Sequence, residues 1–322
     1  MIRIIAPKIE IVIKGTILCF LAALLFFRVR SHASVEETNR VSIEVHEGTE
    51  LAFDLSPDGE TIVFDLLGQI WLLPSGGGEA KAITDSVREN AEHLYPTFAA
   101  DGKRIVFWEA RPESWGLTSM DLTGGERKNL TALSSSRWDS GSDRFFACSP
   151  TKAEVVFVRD GKPIVISEDG VTNPVELKVE GVFPRGITDP AWSPDGSRLA
   201  FVNGPADHTS HSGGSLWQVG AEGGKAERLF AAKTEVRAPC YSPDGLRIAY
   251  FVRNEDLSFE IWVSDFEMNE PQKLASHEDI TPLRLRWTPE GKDLIYCAEG
   301  RFWKISADGG QSGEIPFTAC LG

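Results

Sequence analysis

The chain has 322 residues, 42% of them hydrophobic, which is enough for a large core and excludes a disordered chain. Its 33 basic and 47 acidic side chains leave a net charge of −14 without any basic run, which excludes a nucleic-acid or polyphosphate surface. Length alone allows two domains or one large all-β unit.

Residues 1–33 differ in pattern from the rest of the chain. Arg3, Lys8 and Lys14 precede the apolar run Ile17 to Phe27, and Ser31-His32-Ala33 places small residues where a signal peptidase reads. That run is shorter than the roughly 20 residues a spanning helix needs. Residues 1–33 are therefore expected to be a signal peptide and 34–40 a short linker, giving a periplasmic or secreted protein. The alternative is an uncleaved anchor that takes in Ile9 to Ile13, which would be the one membrane contact; Arg28 and Arg30 suit neither reading. Cys19 falls in this segment. Of the remaining thiols, Cys148, Cys240 and Cys297 sit inside strand patterns with no Cys-x-x-Cys spacing, and Cys148 and Cys240 are expected to be free.

From residue 41 onward one unit recurs. Its turn reads Ser56-Pro-Asp-Gly59, Ala99-Ala-Asp-Gly102, Ser149-Pro-Thr-Lys152, Ser193-Pro-Asp-Gly196, Ser242-Pro-Asp-Gly245 and Thr288-Pro-Glu-Gly291. Successive fourth positions lie 43, 50, 44, 49 and 46 residues apart, the period of a propeller blade. Serine, proline and glycine at these places suit a type I turn followed by a left-handed residue. Lys152 breaks that rule, so the third turn is expected to be strained or of another type.

Each turn is followed by an unalternating apolar triplet, from Ile62-Val63-Phe64 to Leu294-Ile295-Tyr296, as a strand buried on both faces requires. A third strand with an aromatic anchor follows (Trp71, Trp217, Trp262, Trp303), then a glycine turn and a short outer strand. A pair of β-sandwiches would show turn signals at shorter, irregular spacing. The expected fold is all-β, a six-bladed β-propeller of four-stranded antiparallel blades over residues 41–317, with 318–322 as a C-terminal tail. The outer strand of the last blade, Glu314 to Phe317, contains Pro316, which removes a ladder donor. Val41 to Val45 is therefore expected to cross back as that blade's outer strand.

The motif aromatic-Ser-Pro-Asp-Gly, an apolar triplet, Ile-Trp and a Gly-Gly turn resembles the WD40-like repeat of TolB. The same repeat is similar to the N-terminal propellers of secreted amidohydrolases and of prolyl-oligopeptidase-type peptidases. The stretch from Glu47 through Trp71 most resembles the first blade of the amidohydrolase group. The resemblance implies the propeller fold and leaves activity open, because the matching residues are turn and core positions. It also has departures. TolB proteins carry an additional α/β domain before the propeller, whereas few residues separate Ala33 from the first strand. No His-x-His pair or Gly-x-Ser-x-Gly elbow is present, so neither the metal site nor the nucleophile of the hydrolases can be carried over.

Candidate chemistry is sparse. Asp207, His208 and His211 could approach a metal but lack a full ligand set, and a solvated loop accounts for them; no metal or cofactor is expected. Propellers bind at the channel mouth, where the innermost strands begin. The residues there give a candidate site of Glu92, His93, Arg144, Asp189, Arg237 and Arg286, with Glu50, Asp143 and Arg284 nearby. Arginines at a mouth could capture a carboxylate bidentately, or could pair with the acids as a structural ring; both readings stand. The expected function is a non-catalytic exported module that binds a protein or peptide partner at the mouth. The alternative is the propeller of an amidohydrolase- or peptidase-type hydrolase whose catalytic domain lies elsewhere.

Overall fold

The Ser-Pro-Asp-Gly hairpins are locked by their own letters. In the first, fourth and fifth copies the serine hydroxyl donates to the aspartate two residues on (2.5, 2.6 and 2.5 Å) and accepts the backbone N–H five residues on (2.9 Å each). Glycine then donates its N–H to the serine carbonyl at 2.8–2.9 Å, with φ between +68° and +75°, a region that penalises a Cβ. The third turn is of another type: Lys152 keeps a negative φ, and its N–H goes to the Ser149 hydroxyl at 3.2 Å.

The computed structural model describes residues 43–131, 145–170, 172–204, 214–230, 235–266, 271–277 and 279–321. It divides the chain into Met1–Arg40 and Val41–Gly322, and every described residue belongs to the second unit. The signal peptide, the linker, Arg144 and the Asp207-to-His211 loop lie outside the described residues.

Innermost strands Phe53–Leu55, Glu92–Phe98, Phe146–Cys148, Ile187–Trp192, Val236–Tyr241 and Ile280–Trp287 each begin an antiparallel sheet whose next three strands follow in chain order. The protein is an all-β, six-bladed propeller. Every residue of the six apolar triplets is at most 2% exposed, as burial between two neighbouring blades demands. The core is accordingly divided into six clusters, one per seam. Val63 and Ile70 of blade one meet Phe98 and Phe107 of blade two, and Phe64 and Trp71 face Ile295 and Phe302 of blade six.

Ring closure differs from the expectation. Of the expected segment Val41 to Val45, the described residues Ile43–Val45 do not complete blade six, which has its own outer strand, Gly313–Ile315. Instead Ile43–Val45 pairs antiparallel with Phe317–Leu321, and Phe317–Leu321 runs parallel to Gly78–Ala82 of blade one. Residues 318–321 are thus strand, not tail. Pro316 does end pairing with blade six, but only after three residues have covered its edge. The chain then continues past the next blade, as Val179–Glu180 does beside Gly224–Lys225 of blade four. Pro316 and Lys178 hold equivalent places, each accepting the N–H of a positive-φ glycine, Gly78 or Gly224, at 2.9 and 2.7 Å.

The repeated turns also form a collar. A Cβ on Gly59 would lie 2.7 Å from the Pro289 ring, and one on Gly102, Gly245 or Gly291 would meet Pro57, Pro194 or Pro243 at 3.3–3.8 Å. Four prolines thus rest against the glycine of the next blade, Pro289 against Gly59 among them, whereas Gly196 faces Thr151.

Candidate functional site

Strand alternation aims the residue two places before each first turn residue into the channel, and in three blades the residue four places before lines it as well. The inner layer is Asp54, Thr97, Ala147, Ala191, Cys240 and Arg286, and all six line a cavity of ≈ 250 Å³. In the second layer Asp189, Ala238 and Arg284 line the same cavity, and Pro150, Pro194 and Pro243 from three turns form its outer wall. Bulges in four of these strands tilt the second layer inward, with Tyr95, Asp189 and Ala238 at φ +46° to +55° immediately before a proline.

Two carboxylates in the channel are fully engaged. Asp54 pairs with Arg286 across the closing seam and accepts the Thr97 hydroxyl at 2.7 Å and the Phe98 N–H at 2.8 Å from blade two. Asp189 of blade four takes Arg237 Nε at 3.0 Å and the Ala238 N–H at 3.3 Å, both from blade five. Burial pulls the Arg237 pKa down, but Asp189 and Glu235 outweigh it and hold the guanidinium above its ordinary value. Burial pushes the Cys148 and Cys240 thiols up, so neither is a ready nucleophile.

Arg284 behaves differently. It starts on blade six and reaches across the channel to blade three, where Nη2 donates to the Phe146 carbonyl at 3.3 Å and the guanidinium lies 5.6 Å from the Phe146 ring centre. It is 9% exposed, its Nε has no partner, and among the described residues no carboxylate lies within 4.0 Å. Burial, with Arg286 beside it, pushes its pKa down to about 10. Among the described residues, Arg284 is thus a buried channel cation without a counter-ion.

No family model matches the chain. It is 30% identical over 145 residues to the uncharacterized peptidase YuxL of Bacillus subtilis, covering 44% of this chain and 20% of that protein. It is 23% identical over 330 residues to dipeptidyl-peptidase 5 of Porphyromonas gingivalis, covering 81% of this chain and 47% of that one. The chain spans less than half the length of either relative. Among solved structures, TolB from Acinetobacter baumannii superposes with a TM-score of 0.61 at 16% identity, over 84% of this chain and 66% of that chain. The fold is that of a TolB-like propeller.

Within this TolB-like propeller the residues singled out from the sequence separate. Asp189 and Arg286 line the channel cavity as ion-paired residues, and Arg237 pairs with Asp189 without lining the cavity itself. Glu92 is exposed at the start of blade two, its methylene packing near Gly68. His93 is fully buried at the seam with blade one, its N–H donated to the Gly68 carbonyl at 2.9 Å. Its Nε2 lies 3.4 Å from Glu89 and 3.7 Å from Glu109, its ring meets Phe107 edge-on, and neither nitrogen has a hydrogen bond. Burial lowers its pKa, while Glu89 and Glu109 act in the opposite direction. Asp54 was not singled out from the sequence, and Arg284 was named only beside the candidate residues. Counting back two and four residues from each turn would have found both.

Proposed function

We propose that the chain is an exported, non-catalytic propeller that binds a protein or peptide partner in its channel. The observation that carries this is the cavity behind the turn collar, where a buried arginine with no carboxylate in direct contact among the described residues shares the lining with apolar side chains. Concave, mostly apolar sites with a few directed polar groups are where proteins take ligands. The fold likeness to TolB and the N-terminal signal pattern support a periplasmic or secreted location. Panning the full chain against displayed peptides, half with free C termini and half as internal loops, tests the reading. It expects peptides whose capture drops at least about tenfold when Ala191→Phe fills the cavity, the size of one lost contact. No selected peptide, or peptides indifferent to Ala191→Phe, would refute it.

A second reading is favoured by the peptidase names of the two relatives given above and by the chain's partial span of them. Here the chain is the propeller of a hydrolase whose catalytic domain is encoded beside it. A hydrolase domain in the adjoining reading frame would support this reading, and unrelated flanking sequence would remove it.

A further inference from the structure

We infer that Arg284 is the anchor of a carboxylate-binding site in the channel, one that takes a short apolar group ending in a free carboxylate, such as a peptide C terminus. This rests on the channel-binding reading above and specifies its chemistry. A guanidinium withdrawn from water without a counter-ion is a costly arrangement. Asp54 and Asp189 offset that cost only in part and make no direct ion pair with Arg284, Asp54 being bonded to Arg286, Thr97 and Phe98, and Asp189 to Arg237 and Ala238.

Arg284 spends one N–H on the Phe146 carbonyl and leaves Nε unbonded. The planar fork of a guanidinium is matched by the two oxygens of a carboxylate. A phosphate is disfavoured, because Asp54 and Asp189 share the same cavity and would repel a second negative charge.

The walls determine what accompanies the carboxylate. Pro190, Ala191, Trp192, Ala238 and Pro239 are apolar and line the same cavity as the arginine. A cavity of ≈ 250 Å³ lies just under the range of about 300–1,000 Å³ that holds drug-sized ligands. It suits the last one or two residues of a chain and excludes a long internal segment. Free small acids offer the same chemistry, and the measurement below separates the two sources.

Titration of the full chain with acetyl-alanyl-leucine as the acid and as its C-terminal amide, read by isothermal calorimetry and thermal shift, tests this. The acid is expected to bind about ten- to a hundredfold more tightly than the amide, the size of a charged hydrogen bond. Arg284→Gln should abolish that preference, and Arg284→Lys should retain part of it. Isovalerate binding as well as the dipeptide would identify a free acid as the source; a tighter dipeptide would identify a chain terminus. Either result supports the carboxylate anchor. Equal binding of acid and amide, acid binding unchanged in Arg284→Gln, or no binding of either acid at millimolar concentration would overturn it. If Arg284→Gln does not fold, the acid-versus-amide comparison on the unaltered chain still decides. Peptides selected by panning that bind equally as amides would refute the carboxylate anchor and leave channel binding intact.

Discussion

The seams on either side of the ring are built differently. Blades six and one are joined only where the end of the chain, Phe317–Leu321, pairs with blade one, and the contacts are dense: Pro289 on Gly59, the Asp54–Arg286 pair, and edge-on contacts among Phe53, Phe64 and Phe302. Between blades two and three the collar is missing, since Ala100 replaces proline and Lys152 replaces glycine. That seam keeps an apolar cluster, with Val106 and Leu117 against Phe146 and Phe157. The chain itself tethers blades two and three. Bringing blade six to blade one must instead offset the entropy of closing a loop as long as the whole ring. The closing seam therefore concentrates the specific contacts.

The largest test of that contrast is Asp54→Ala. It would leave the half-buried Arg286 without its ion partner and remove the acceptor for Thr97 and Phe98. The expected loss is about 3–5 kcal/mol in urea denaturation, the range for breaking a buried pair. A loss under about 1 kcal/mol, the size of a surface pair, would mean that the closing seam is not held by this contact.

Glycine replacement in the collar should follow with a graded effect. Gly59→Ala and Gly245→Ala both place a Cβ at a positive φ, costing about 1–2 kcal/mol each. Only at Gly59 does the new atom meet a neighbour below 3.0 Å, so Gly59→Ala should cost about 1–3 kcal/mol more. Equal losses would show that the proline contact at the closing seam is slack.

His93 sharpens the picture at the seam between blades one and two. Its folded pKa lies below the unfolded value near 6.5, so the unfolded state binds the proton more readily. Its contribution is present above that unfolded value and is lost as pH falls through the window down to the lowered folded value. Comparing the stability of the unaltered chain and His93→Gln from pH 7.5 to 5 should show a steeper fall in the unaltered chain. Parallel curves would mean that Glu89 and Glu109 fully offset the burial.

The smallest effect belongs to the seam between blades two and three. Lys152→Gly should change stability by less than about 0.5 kcal/mol, since the turn it restores has no proline from blade two to meet. A gain above that value would mean that the third turn is strained as it stands.

Much of the fold is legible in local chemistry. Serine, aspartate and glycine make the turn through bonds spanning at most five residues, and the unalternating triplets announce burial on both faces. The blade count follows from these. The route of closure is not legible, because Pro316 looks like a strand breaker whether or not three paired residues precede it. The channel is still less so. Asp54 and Arg286 are 232 residues apart, and Arg284 meets a carbonyl 138 residues away. Arg284 and Arg286 are the same residue two positions apart on one strand, yet one is ion-paired and the other is not. Local pattern sets only the direction in which each side chain points. What waits there is decided by the blade beside or opposite it, and that exists only once the ring has closed.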